Sequence, residues 1–187
     1  MTKKILFLSG SSRKGSFNTQ LAKAACEIAK SQGADAEFVD LIDYELPLFN
    51  QDEEDERGIP GNAKRLKHKF VDADGFFIAA PEYNGSITPL LKNTLDWLSR
   101  AMIENEAPLT AYADKAAAIS GASPGGLGGI RGLVPLRLLL SNLGVNMVGQ
   151  QLALGSAHDA FDEKGMLKSE RYQTMLEGIV TTLIRIS

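Results

Sequence analysis

Hydroxyl, amide and guanidinium side chains crowd into one short stretch near the start of the chain. The run Leu8-Ser9-Gly10-Ser11-Ser12-Arg13-Lys14-Gly15-Ser16-Phe17-Asn18-Thr19 follows the apolar residues Ile5 to Leu8, and an amphipathic helical pattern follows it. A strand that ends in such a loop and leads into a helix aims backbone N–H groups and a positive helix end at one point. That is the chemistry of phosphate binding. Arg13 adds a charge that does not titrate, while Ser11, Ser16, Asn18 and Thr19 add hydrogen-bonding side chains.

The type of phosphate is narrowed by what the loop lacks. Gly10-x-x-x-x-Gly15 copies the opening of a P-loop, but Ser16 and Phe17 stand where Lys and a Mg²⁺-binding hydroxyl are needed. The later apolar run Gly75–Ala80 ends in Pro81, where the Asp that holds a nucleotide's metal would be expected. A dinucleotide fingerprint needs G-x-G-x-x-G after the first strand, and the chain reads Gly10-Ser11-Ser12. A single terminal phosphate is the best fit.

Two further segments have unusual composition. Pro81-Glu82-Tyr83-Asn84-Gly85-Ser86 combines a stiff exit from an apolar run with an aromatic and a conformationally free glycine. Its backbone groups could read the edge of a flat heteroaromatic ring, although Asn-Gly also marks a plain turn. Gly121-Ala122-Ser123-Pro124-Gly125 matches the G-x-S-x-G nucleophile elbow of serine hydrolases. That reading is poor, because Pro124 has no N–H for an oxyanion hole and no acid lies between Ser123 and the downstream His158. The glycines from Gly121 to Gly129 suit close backbone approach to a planar ligand, or a mobile lid. Arg131, just beyond, could meet an anionic group or be a solvated residue at a helix start.

Alternating apolar runs and helical patterns must position these segments. Strands are expected at Lys3–Ser9, Ala36–Leu41, Gly75–Ala80, Lys115–Ser120 and Val145–Leu152. Helices are expected at Asn18–Gln32, Ala63–Ala73, Pro89–Ala101 (with Thr88 as cap), Leu133–Leu143 and Ser169–Arg185. Ile42–Asn62, with Pro47, Pro60 and an acidic run, reads as an irregular solvated segment. Such alternation implies one α/β domain over residues 1–187, a five-stranded parallel sheet in the order 2-1-3-4-5 with helices on both faces. Ligands then sit beyond the carboxyl ends of the strands, where the three unusual segments gather.

The composition sets outer bounds. The chain has 187 residues, a net charge of −3 and one cysteine. The acidic balance argues against nucleic-acid binding, and no apolar run approaches the length of a membrane span or a signal peptide. Cys26 lies in the first helical pattern as a small buried hydrophobe, and a lone cysteine suits a reducing cytoplasm. His68 and His158 lack ligand spacing, so no metal site is expected.

Gly10-Ser11-x-Arg13-x-x-Ser16-x-Asn18, Pro81-Glu82-Tyr83-Asn84-Gly85-Ser86 and Leu91-Lys92-Asn93-x-x-Asp96-Trp97 together resemble the NADPH-dependent FMN reductase family. The resemblance implies a flavodoxin-like three-layer sandwich that binds FMN and takes NADPH or NADH as co-substrate. Ser11, Arg13, Ser16, Asn18 and Thr19 would hold the FMN phosphate; Pro81, Glu82, Tyr83, Asn84 and Gly85 would line the ring; Ser120 and Gly121 would close the third side. Electrons would pass to a small acceptor: a quinone, chromate, an azo compound or free flavin. No side chain is expected as acid, base or nucleophile, since the cofactor carries the chemistry. The family pattern also implies a homodimer or dimer of dimers packed through the Leu90–Arg100 helix, with Trp97 either core or dimer contact. A flavodoxin-like electron carrier or redox-sensing FMN module without NAD(P)H turnover is the alternative.

Overall fold

A computed structural model describes residues 2–187. The strands β1 (Lys4–Ser9), β2 (Asp35–Val39), β3 (Gly75–Ala79) and β4 (Ala116–Ala122) pair in parallel, in the order β2-β1-β3-β4. Beyond β4 lie β5 (Asn146–Met147) and β6 (Leu152–Leu154), both parallel to it. The order is the doubly wound 2-1-3-4-5 of flavodoxin-like folds, as the alternation of elements predicts.

β1, β3 and β4 are buried along nearly their whole length, so alternate residues face two separate cores. Ile5, Phe7 and Phe77 pack with α1 (Phe17–Ser31) and α6 (Glu170–Ile186). Leu6, Leu8, Phe76 and Ile78 pack with α3 (Gly61–Asp72), α4 (Pro89–Leu98) and α5 (Ile130–Asn142). α1 lies close to the sheet because its buried face is largely alanine: Ala22, Ala24, Ala25 and Ala29. Cys26 shares that face, and burial pushes its thiol up to about 11, which keeps it unreactive at neutral pH.

Two expectations need correction, and one open alternative is decided. The irregular segment after β2 contains a helix, α2 (Gln51–Arg57), capped by Asn50 and without one buried residue. With no apolar stripe, it escapes any reading based on periodicity. Arg100 instead grips it from outside through Glu54 and Gln51.

The fifth strand is not continuous. Ala116 pairs with Asn146 but Ser120 pairs with Leu152, so the offset widens by two residues between them. The extra residues form a bulge around Gly149 and Gln150, fixed by the Arg137 guanidinium on Val148 O (2.9 Å) and Gln151 Oε1 (3.0 Å).

Trp97 is core. It is 1 % exposed within the single chain, its Nε1–H donates to Pro47 O (2.8 Å), and Phe49 meets its ring edge-on at 5.0 Å. Leu91, Leu95 and Leu98 are buried with it, so the apolar side chains of α4 face this chain's own core. No helix among the described residues is long and apolar enough to cross a membrane.

Candidate flavin site

The loops after β1, β3 and β4 converge at the carboxyl edge of the sheet, and direct bonds tie them together. Gly10 N–H donates to Ala79 O (2.9 Å), and Thr88 Oγ1, which also caps α4, donates to Gly10 O (2.6 Å). Asn18 bridges further: Nδ2 donates to Ala122 O (2.8 Å) while Oδ1 accepts from Ala122 N–H (2.9 Å). The first turn of α1 is thereby pinned to the end of β4.

Within the first loop, the hydroxyls organise the backbone. Ser9 Oγ accepts from Ser11 N–H, Ser11 Oγ from Arg13 N–H, and the cap Ser16 Oγ from Thr19 N–H. The first-turn N–H groups of Phe17 and Asn18 have no protein acceptor among the described residues. Arg13 folds back on Lys14 O and Gly15 O and lies 5.5 Å over the Phe17 ring, which holds its guanidinium at the loop's rim with donors to spare. Free helix N–H groups, hydroxyls and a fixed guanidinium make an anion cradle.

The second loop is a tight hairpin. Tyr83 and Ser86 exchange both backbone bonds around Asn84 (φ +52°) and Gly85 (φ +81°), a pair of left-handed residues that this two-residue turn requires. Asn-Gly is therefore a turn, and the turn presents Tyr83, 54 % exposed, at the rim.

Glu82 links the second loop to the third. Its carboxylate lies 2.5 Å from Arg131 Nη2 and accepts from the Arg131 N–H at 3.2 Å. Burial opposes its ionisation, but those donors outweigh it and hold the carboxyl below the ordinary glutamate range. Because α5 has no side-chain cap of its own after Gly129, Glu82 serves as its cap from a different loop.

Together the loops enclose a cleft of about 160 Å³, lined by Ser11, Arg13, Ser16, Asn18, Pro81, Glu82 and Tyr83, with Phe17, Ala122, Ser123 and Pro124. Of the residues singled out in the sequence, Thr19 supports the α1 cap, and Asn84 and Gly85 form the hairpin tip. Ser120 lies in the strand, as expected, and Gly121 lies inside β4 rather than in the loop after it. Ser120 is fully buried, with Oγ accepting from Leu152 N–H, and a Cβ on Gly121 would come within 3.1 Å of Ala80 O.

β4 runs on to Ala122 because β6 pairs with its last three residues, so the third wall begins at Ala122 and Ser123. A Ser-Gly-Ala string carries no strand signal, which hid those two residues. Ser123 Oγ accepts from Gly125 N–H, and no histidine or carboxylate among the described residues bonds to it. A larger hollow, about 400 Å³, borders Lys64, His68 and Met102. Its residues precede β3 and β4, so it lies at the opposite edge of the sheet.

Known proteins resemble this chain in sequence and fold. The chain is 37% identical over 185 residues to a NAD(P)H:quinone oxidoreductase of Solanum tuberosum, covering 96% of this chain and 90% of that protein. It is 33% identical over 175 residues to a NAD(P)H-dependent FMN reductase of Pseudomonas aeruginosa, covering 93% and 89%. Its fold superposes with a TM-score of 0.82 on the flavoenzyme NAD(P)H:(acceptor) oxidoreductase of Paracoccus denitrificans, at 29% identity and covering 98% and 96% of the two chains. The model of one family matches residues 3–159, across all three loops: the chain belongs to the NADPH-dependent FMN reductase family.

Proposed function

We propose that this protein is an FMN-dependent NAD(P)H oxidoreductase that delivers electrons to a small acceptor, a quinone foremost. The observation that carries this is the anion cradle of the first loop, which shares one cleft with residues of the second and third loops. The family and the quinone and FMN reductases among its relatives support the same activity.

The residues present fit FMN. Ser11, Ser16, Arg13 and the N–H groups of Phe17 and Asn18 offer a phosphate charge-assisted bonds. Pro81 and Tyr83 offer one wall for the ring, and Ala122, Ser123 and Pro124 the other. Asn18 acts mainly through position, since its Oδ1 and one Nδ2 hydrogen are committed to Ala122. FMN, when bound, supplies hydride acceptance from NAD(P)H and onward transfer of the electron pair. The protein binds, orients and shields; no side chain is assigned as acid, base or nucleophile.

A cytoplasmic homodimer or dimer of dimers belongs to this reading. Besides the Leu90–Arg100 helix, α5 and the turn before it offer an apolar surface for pairing. Leu127, Ile130, Val134 and Leu138 are exposed there at helical spacing, with Arg131 exposed and Arg137 half-buried in the same stretch.

Rapid mixing of the purified, FMN-loaded protein with NADPH tests the activity. Loss of flavin absorbance, and its return on adding a quinone, is expected. Flavin that binds but is not bleached by NADPH or NADH would leave the electron-carrier alternative in its place.

A further inference from the structure

The hollow at the opposite edge of the sheet has the make-up of a second binding site. Lys64, His68 and Val71 border it from α3, spaced i, i+4 and i+7 along one side of the helix. Met102, Ile103 and Glu106 border it from the segment between α4 and β4. Its volume, about 400 Å³, lies in the ordinary range for small-molecule pockets and exceeds that of the flavin cleft.

One side of the hollow rests on a buried ion pair. Glu106 accepts from Lys67 Nζ at 2.7 Å, from Thr110 Oγ1 and from Met102 N–H, and the buried Lys67 also donates to Arg100 O. The two charges cancel, so the pair adds no net charge to the hollow. It also holds a strained segment, in which Asn105 (φ +62°), Leu109 (φ +58°) and Asp114 (φ +63°) are all left-handed. Such conformations cost a non-glycine residue energy and persist only where the surroundings enforce them, most often at functional sites.

The rest of the lining sets the ligand's chemistry. Val71, Met102 and Ile103 supply an apolar wall, and Ile103 is 71 % exposed, so an apolar body lying there removes its surface from water. Lys64 and His68 are exposed beside that wall and form no ion pair among the described residues. One helical turn apart, an ammonium and an imidazole N–H can both reach a single anionic head. A neutral ligand would leave the Lys64 charge unused, and a cation would be repelled by it. We propose that this hollow is a second ligand site, separate from the flavin cleft, for an organic anion with an apolar body. The anionic head, a carboxylate or sulfonate, pairs with Lys64 and His68, and the alkyl or aryl body lies on Val71, Met102 and Ile103.

Calorimetric titration of the FMN-loaded protein with octanoate, 2-naphthoate and neutral octanamide tests it, with the anion cradle of the first loop filled by FMN. At least one of the two anions is expected to bind, and the tighter one tells an alkyl body from an aryl one. Octanamide should bind about tenfold more weakly than octanoate, the low end for a charge-assisted bond at an exposed site. Lys64→Glu should weaken both anions by about the same factor and leave octanamide unchanged, whereas Ile103→Asp should weaken all three. Both side chains are exposed, so melting temperature and FMN content of the variants should match the parent. Failure of both anions to bind, octanamide binding as tightly as octanoate, or anion affinity unchanged in both variants overturns the assignment. Sedimentation supplies the remaining outcome. If the parent binds neither anion and Ile103→Asp splits it into smaller species, the hollow is a subunit contact and the proposal falls.

Discussion

Gly128 is where the third wall of the cleft can be broken by one methyl group. Its backbone has φ +62°, and a Cβ there would fall 2.4 Å from Ala153 C, 2.6 Å from Ala153 O and 2.7 Å from Leu154 N. All three are backbone atoms of β6, which cannot retreat without loosening the pairs Gly121–Ala153 and Ala122–Leu154. Gly128→Ala therefore meets two penalties. A left-handed conformation costs an L-residue roughly 1–2 kcal/mol, and overpacking against fixed atoms adds about 1–3 kcal/mol. The sum, roughly 2–5 kcal/mol, corresponds to a fall in melting temperature of roughly 4–20 °C for a chain of this size. Gly126→Ala, two residues away, is the matched control. It has ordinary φ and open space where the Cβ would go, so its cost stays within about 0.5 kcal/mol. Urea unfolding of both variants gives the stabilities, and FMN titration reports whether the wall formed by Ala122 and Ser123 has moved. If Gly128→Ala unfolds with the same midpoint as Gly126→Ala, the close packing of this loop on β6 is not what fixes it.

Other substitutions probe the remaining contacts. Arg13→Ala should weaken FMN binding about tenfold, again the low end for a charged donor in solvent; equilibrium dialysis showing unchanged affinity would remove Arg13 from the cradle. Asn18→Ala leaves the Ala122 N–H and C=O without their partners in a buried place, costing roughly 2–4 kcal/mol by denaturant unfolding. Asn18→Asp restores only the acceptor and should fall short of full recovery. Glu106 offers a pH test. Its buried carboxylate pairs with Lys67 Nζ at 2.7 Å, and Lys67, Thr110 and the Met102 N–H overcome the opposing effect of burial to push its pKa down to about 2. With a folded pKa below the unfolded one, the stabilisation is complete above about pH 4.5 and is lost as pH falls toward 2. Up to about 3 kcal/mol is involved, and Glu106→Gln should flatten that part of the stability profile. An unchanged profile would mean the pair does not drive the acid loss.

Long-range order was legible where burial dictates residue type. β1, β3 and the sheet order could be read because central parallel strands are apolar on both faces and helices between them are amphipathic. The phosphate loop could be read because its hydroxyls and Arg13 follow a strand and precede a helix. What stayed hidden depends on neighbours far along the chain. Gly121 looks like a loop residue but is strand, because β6 arrives from 32 positions later to pair with it. α2 is held by Arg100 and its own cap rather than by an apolar face, so its residues resemble any solvated acidic run. Trp97 has the composition of an interface residue, and only the return of Pro47 and Phe49 onto its ring makes it core. The Glu82–Arg131 link joins residues 49 positions apart, and nothing in the local sequence of either announces the other.

The interrupted strand at the β4 edge also bears on how this protein survives at high concentration. A parallel sheet ending in a long flat strand offers unpaired N–H and C=O groups as a template for self-assembly into fibres. Here a foreign strand would meet runs of only two and three residues, β5 and β6, offset from each other by the bulge that Arg137 clamps. No continuous register is offered to it. The same irregularity that lets β6 finish the cleft wall thus protects that edge of the sheet from aggregation.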